Sequence, residues 1–282
     1  MTPPTIAVTG ATGFLGGQVA RTLADAGTPQ RLIVRDAGRA PQLPATQVAV
    51  AAFGDTSGVE HALKGIQTVL MVSASESATR LDEHKAFIDG AAAAGVRHIV
   101  YTSFVAAATD AVFTLARDHF ATEEHLKRSG MAWTFLRDNF YLDFMPMMVG
   151  DDGVIRGPAG TGRAAVVSRR DVAAAAAAIL QDPGRHAGKS YELTGPEALT
   201  MAEIAAILSA GLRRDISFHN ESIEEAYESR KAWDAPAWQY DAWVSTYTSI
   251  ASGAMESVSS AVEELTGRPP QSLGDFLATQ SG

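Results

Sequence analysis

The 282-residue chain carries 23 Lys and Arg against 32 Asp and Glu, a formal charge of −9, with 46% apolar residues, 25 Gly, 12 Pro and no Cys. This balance excludes collagenous, low-complexity and disulfide-stapled chains, and with them thiolate metal sites and Cys nucleophiles. It also argues against a partner in nucleic acid or an anionic bilayer, both of which call for a basic face.

Taken in order, the elements alternate. Thr5–Thr9 reads as a buried strand, 15–26 as a helix stopped by Gly27, and 30–35 as a second strand. A third strand is expected over 48–53, a short helix over 58–64 and a fourth strand over 68–73. A helix over 81–94, a strand over 98–103, a helix over 118–129 and a strand over 133–137 follow, then a helix over 171–180 and a strand over 189–194. Strands alternating with helices of ten to fifteen residues predict βαβ units and a doubly wound, Rossmann-type parallel sheet. After residue 199 the style changes. Thr200-x-x-Glu203 has capping-box spacing, and Trp233, Trp238 and Trp243 crowd into what reads as a smaller, mostly helical cap. The expected organisation is therefore a dinucleotide-binding domain over 1–198 and a cap over 199–282. No run of 18 uninterrupted apolar residues exists, and Met1–Thr5 lacks the cationic start of a signal peptide, so the default address is the cytoplasm, with no membrane partner.

The sharpest motif is Gly10-Ala-Thr12-Gly13-Phe14-Leu15-Gly16, between the first strand and first helix. In such a loop the first glycine permits the tight turn, the second lets backbone approach a pyrophosphate, and the third lets helix and strand pack closely. The helix start then offers N–H groups and a positive dipole end to the phosphates. At the end of the second strand stands Arg35, with Arg39 four residues on. Guanidinium groups suit a 2′-phosphate, which favours NADP(H) over NAD(H), although Asp36 can serve a ribose instead. Asp55, after the third strand, can accept the adenine amino group or cap the next helix. Ser73, Thr102, Ser103 and Phe104 lie at carboxyl ends of strands, where open α/β sheets bind ligands. The seven His are scattered, with no metal-binding grouping, and there is no Gly-x-Ser-x-Gly elbow.

The glycine loop, Val34-Arg35-Asp36, the run from Ala94 to Ser103, and Arg169-Arg-Asp-Val-Ala173 resemble the NmrA-like atypical short-chain dehydrogenase/reductases. His119-x-x-x-Glu123 and Arg137-Asp-Asn139-Phe140-Tyr141 point to the branch of NAD(P)H:quinone oxidoreductases and triphenylmethane or azo-dye reductases. The resemblance implies that His119 stands where the superfamily has its catalytic Tyr and Glu123 where it has Lys, with Ser103 as the third catalytic candidate. An i,i+4 spacing puts His119 and Glu123 on one helix face. Glu cannot lower a neighbour's pKa as Lys does for Tyr; it favours imidazolium. The ordinary carbonyl-reductase mechanism is thereby in doubt, and His119 or water is left as proton donor. The resemblance further implies an acceptor pocket drawing on residues about 140–165, lined by Phe104, Asn139, Phe140 and Tyr141, and Trp238 is the aromatic candidate from the cap. The expected function is hydride transfer from NADPH to a quinone or similar flat aromatic acceptor, extending to aromatic polyketide tailoring by reduction or hydroquinone-assisted oxygenation. The alternative is a non-catalytic NAD(P) sensor acting through a protein partner. A homodimer is left open.

Overall fold

The computed structural model describes residues 3–280. Its chain order is β1 (Ile6–Thr9), α1 (Phe14–Asp25), β2 (Gln30–Val34), β3 (Thr46–Val50), α2 (Thr56–Leu63), β4 (Thr68–Met71), α3 (Arg80–Ala93), β5 (His98–Phe104), α4 (Thr114–Arg128) and β6 (Ala132–Asp138). Then come β7 (Val154–Gly157), β8 (Arg163–Ala164), α5 (Arg169–Gln181), β9 (Lys189–Leu193), β10 (Leu199–Thr200), α6 (Met201–Leu212), β11 (Ser217–Asn220), α7 (Ile223–Arg230), α8 (Ala237–Ala251), α9 (Ala261–Thr266) and α10 (Leu273–Gln280).

Seven strands form one sheet in the order β3-β2-β1-β4-β5-β6-β9. Pairing is parallel from β3 through β2, β1 and β4 to β5, with Ile6 opposite both Gln30 and Thr68. The order runs outward from β1 in both directions, so the switch point lies between β1 and β4, where doubly wound sheets bind ligands at strand carboxyl ends. The central strands are apolar on both faces because both are covered. On one side Ala7, Ile33, Val69, Met71, Ile99 and Tyr101 join Leu63, Phe87, Ile88 and Leu126 in a core. Their strand neighbours Val8, Leu32, Leu70 and Val100, facing the other way by alternation, are also fully buried.

The described chain makes two compact units. One holds the N-terminal segment through Phe104, Asp118–Arg137 and Arg170–Tyr191; the other holds Val105–Arg117, Asp138–Arg169 and the segment from Glu192 onward. These units interleave along the sequence, whereas the expected domains were contiguous. The third strand lies at 46–50 rather than 48–53, and α4 begins a turn before residue 118, because buried Leu115 and Ala116 prolong its apolar side. The C-terminal part is mainly helical. It also contains small pairings that no sequence pattern announced: β11 runs parallel to β7, and β10 antiparallel to β8. The capping box at the start of α6 forms as its spacing predicts, with Glu203 N–H donating to Thr200 Oγ1 at 3.1 Å and Thr200 N–H to Glu203 Oε2 at 2.8 Å. Among the described residues no helix is long and apolar enough to cross a membrane.

Candidate active site

The loop after β1 is built by its glycines. Gly10 has φ +65°, a left-handed conformation that a side chain disfavours. Gly13 N–H donates to Gly10 O at 2.9 Å and closes the turn. Gly16 packs against the strand so closely that a Cβ there would lie 2.4 Å from Thr9 O and 2.5 Å from Gly10 C and O. Helix α1 opens at Gly13 with no side-chain cap and no acidic residue in its first turn. Gly10, Thr12 and Gly13 are exposed, Phe14 is half-buried and Leu15 is buried. A helix start of this kind presents orphan N–H groups and positive dipole to an anion.

At the carboxyl end of β2, Arg35 and Arg39 are both exposed, and neither guanidinium group hydrogen-bonds or ion-pairs within the described residues, though Arg39 N–H donates to Asp36 O at 3.2 Å. Asp36 between them is occupied: its Oδ1 accepts from Gly38 N–H at 2.9 Å and caps the short 3-10 turn Ala37–Arg39. Asp55 is likewise the N-cap of α2, accepting from Gly58 N–H at 3.0 Å and Ser57 Oγ at 2.9 Å. Those bonds, first from Gly58, hold its carboxyl below the usual range. Of the two readings left open for Asp55, capping is the one its contacts carry.

Past β4 and β5, Thr102, Ser103 and Phe104 are buried, while Ser73 is half-buried. Thr102, almost fully buried, accepts from Ser73 N–H at 2.8 Å and so ties the end of β4 to β5. Ser103 is fully buried and donates to Glu123 Oε1 at 2.6 Å. Glu123, also fully buried, receives a two-point contact from Arg137, with Nε at 2.9 Å and Nη2 at 2.6 Å. The polar atoms of Ser103 and Glu123 thus bond one another and Arg137.

His119 and Glu123 share a helix face but serve separate networks. Nε2 of His119 lies 2.8 Å from Arg80 Nη2, and Nδ1 lies 2.9 Å from Tyr101 Oη. A guanidinium only donates, so Nε2 accepts and the neutral ring carries its proton on Nδ1, donating to Tyr101. Phe104 stacks on the imidazole at 6.0 Å. Burial first, then the Arg80 charge, then His84, hold the His119 pKa well below 6.5. The imidazole is thus held neutral and enclosed. Arg80 itself is buried, bonds Ala74 O through Nε at 3.0 Å, and has Nη1 3.8 Å from Asp118 Oδ2. His84 accepts from Ala74 N–H at 2.9 Å and faces Thr122 Oγ1 at 3.0 Å. Burial, helped by Arg80, lowers its pKa to about 3.

This network has a pH signature. In the unfolded chain an imidazole protonates near pH 6.5, while folded His84 does so only near 3. Between those values the fold binds fewer protons than the unfolded chain, so stability rises with pH across the window and is level above it. The thermal midpoint should therefore drop as pH falls from about 6.5 toward about 4, and His84→Gln should flatten that slope. A slope identical in the variant would remove His84 as its cause.

In the second unit, Asn139 is nearly fully buried and bridges backbone, with Nδ2 donating to Met255 O at 2.9 Å and Oδ1 accepting from Phe140 N–H at 2.8 Å. Phe140 is half-buried, edge-on to Phe113 at 5.2 Å. Tyr141 donates to Asp138, and burial together with that carboxylate pushes its pKa well above 10. Trp238 is not part of the aromatic cavity of this unit, whose walls include Trp233, Trp243 and Tyr247.

The model of the NmrA-like family matches residues 2–232. The chain belongs to that family. It is 34% identical over 281 residues to quinone oxidoreductase 2 of Escherichia coli, covering 97% of each chain. It is 36% identical over 285 residues to the (4-alkanoyl-5-oxo-2,5-dihydrofuran-3-yl)methyl phosphate reductase of Streptomyces griseus, covering 97% of this chain and 96% of that one. Its fold superposes on the crystal structure of an NADPH-dependent quinone oxidoreductase of Escherichia coli complexed with NADPH, with TM-score 0.89 and 32% identity, over 98% of this chain and 100% of that one.

For this NmrA-like chain, Arg80, His84, Tyr101 and Arg137 are the residues that sequence reasoning left without roles. One signal was present: Arg80 and His84 are four apart on α3, which puts two polar side chains on one face of a helix that must pack against the sheet.

Proposed function

We propose that the chain is an NADPH-dependent oxidoreductase whose acceptor is a quinone or similar flat conjugated molecule. The carrying observation is the glycine-built, uncapped start of α1 together with two unpartnered arginines at the end of the adjoining strand β2. A dinucleotide fits these residues. Gly13 and the first turn of α1 would take the pyrophosphate, Gly16 would keep the helix against β1, and Arg35 and Arg39 would bind the 2′-phosphate. The relatives named above as a quinone oxidoreductase and a furanone-phosphate reductase support a reductase, and the solved NADPH complex supports the cofactor.

NADPH supplies a hydride when bound. The chain's own part is to bind and orient. Ser103, Glu123 and Arg137 form a closed, satisfied brace between β5, α4 and β6, and His119 is held neutral by Arg80. No side chain of this set stands ready as the acid that an alkoxide product requires. A quinone relaxes that demand, because a hydroquinone anion is a weaker base than an alkoxide and water can deliver its proton. Aromatic polyketide quinones fall within this acceptor class, and the cytoplasm is the compartment that fits the reading.

Arg35→Ala tests the cofactor assignment. Loss of a charge-assisted contact of about 1.5–3 kcal/mol should weaken NADPH by roughly 10- to 100-fold and leave NADH within about twofold. Equal losses for both, measured by calorimetric titration, would remove the 2′-phosphate from Arg35.

A further inference from the structure

Val72, Ser73 and Ala74 follow β4 as a strap outside any strand, and side chains take the N–H group of each. Val72 N–H donates to Thr9 Oγ1 at 2.9 Å, Ser73 N–H to Thr102 Oγ1 at 2.8 Å and Ala74 N–H to His84 Nε2 at 2.9 Å. Arg80 Nε completes the set by donating to Ala74 O at 3.0 Å. Thr9 stands on β1, Thr102 on β5, and Arg80 and His84 on α3, so three elements hold three successive residues of one short segment.

The anchors are themselves braced. A backbone N–H only donates, so His84 Nε2 accepts and the neutral ring carries its proton on Nδ1. Thr122 Oγ1, 3.0 Å from Nδ1, gives its own proton to Asp118 O at 2.7 Å and therefore accepts from the imidazole. Arg80 in turn rests on His119 Nε2 at 2.8 Å. The bonds from Ala74 thus run through α3 into α4, and His84, Thr102, His119 and Thr122 are all buried, out of competition with water. The strap itself is half-buried, and it adjoins the glycine loop: a Cβ on Gly10 would lie 3.1 Å from Val72 Cβ. The strands stand in the order β2-β1-β4. A dinucleotide with its 2′-phosphate at β2 and its pyrophosphate at the β1 loop therefore has its other half at the end of β4, beside the strap.

We infer that His84 and Thr102 are positioning residues for the nicotinamide half of the cofactor, acting through the strap without touching the cofactor themselves. This role rests on the NADPH reading proposed above and names the side chains that set the far end of that site. Removing either acceptor leaves a strap N–H unpaired against a buried wall, and the strap must shift to satisfy it. Val72 keeps its bond to Thr9, so the side of the strap against Gly10, and with it the adenosine end, stays in place. Calorimetric titration of the full chain with NADPH, and separately with adenosine 2′,5′-bisphosphate, which lacks the nicotinamide half, tests this. His84→Leu and Thr102→Val should each weaken NADPH at least about tenfold and leave the bisphosphate within about twofold. His84→Gln puts an amide group near the position of Nε2 and should stay within about threefold of wild type for both ligands. Thr102→Val keeps the side chain's shape, so it decides the matter should His84→Leu fail to fold. NADPH affinity unchanged in either folded variant overturns the assignment. So does an equal loss of both ligands, the mark of a generally loosened fold, or a loss in His84→Gln as large as in His84→Leu. A wild-type chain that binds neither ligand defeats the NADPH reading and this role with it, whereas one that binds both, with the variants unmoved, defeats this role alone.

Discussion

Gly16→Ala is expected to lose NADPH binding by at least about 100-fold and to destabilise the fold by about 1–3 kcal/mol or more. The added methyl would lie 2.4 Å from Thr9 O and 2.5 Å from Gly10 C and O, all backbone atoms. None can swing aside as a long side chain can. Thr9 belongs to β1, paired on both edges with β2 and β4, so the strand is fixed and the loop or the helix must move. Either movement takes the first turn of α1 away from the position proposed for a pyrophosphate. Gly13→Ala separates the two effects. Gly13 has φ −97°, and a Cβ there meets only Gly10 O at 3.4 Å, so the variant should fold like the wild type. It should still weaken NADPH, because its methyl would stand on the exposed surface proposed for the pyrophosphate. Thermal unfolding and NADPH titration of both variants check this. A Gly16→Ala protein that binds NADPH normally would contradict the loop assignment.

Arg137→Ala should be among the most damaging truncations of a polar side chain in the first unit. It leaves Glu123, fully buried, with Ser103 Oγ as the bond that remains of the three described here. Stripping the partner from a buried charge costs about 3–5 kcal/mol, which corresponds to roughly 10 °C in thermal midpoint for a protein of this size. The pair Arg137→Met with Glu123→Leu removes both charges and should recover part of that loss, since no carboxylate is stranded and only the buried Ser103 hydroxyl loses its acceptor. Turnover should return with stability in the double variant. Recovered stability without recovered turnover would restore Glu123 to a chemical role.

The alternation of elements and the glycine loop were legible because they depend on local rules: burial on both sheet faces, and a tight turn that only glycine makes. The capping box at Thr200 and Glu203 was legible for the same reason. Asp36 and Asp55 were ambiguous because a carboxylate at a strand end bonds a backbone N–H or a ribose with the same chemistry, and the capping partners Gly38 and Gly58 become evident only once the backbone turns. The partners of His119 and Glu123 were hidden for a different reason. Spacing puts two side chains on one face of α4 but says nothing of what meets that face, and the partners arrive from α3, β5 and β6, in Arg80, Tyr101 and Arg137. The β7–β11 pair joins segments about sixty residues apart through a polar run, Ser217-Phe-His-Asn220, with no alternation to betray it. Trp238 lies outside the cavity lined by Trp233 and Trp243, which spacing along α8 alone does not foretell.

Anaerobic oxidation of NADPH by menadione, followed at the nicotinamide absorbance band, tests hydride transfer to a quinone. One NADPH consumed per menadione reduced is expected, far faster than without protein, with NADH a poorer donor and Gly16→Ala inactive. Tight NADPH binding with oxidation no faster than the uncatalysed reaction, across menadione and other quinones, would contradict the account and leave a dinucleotide-binding protein without reductase activity.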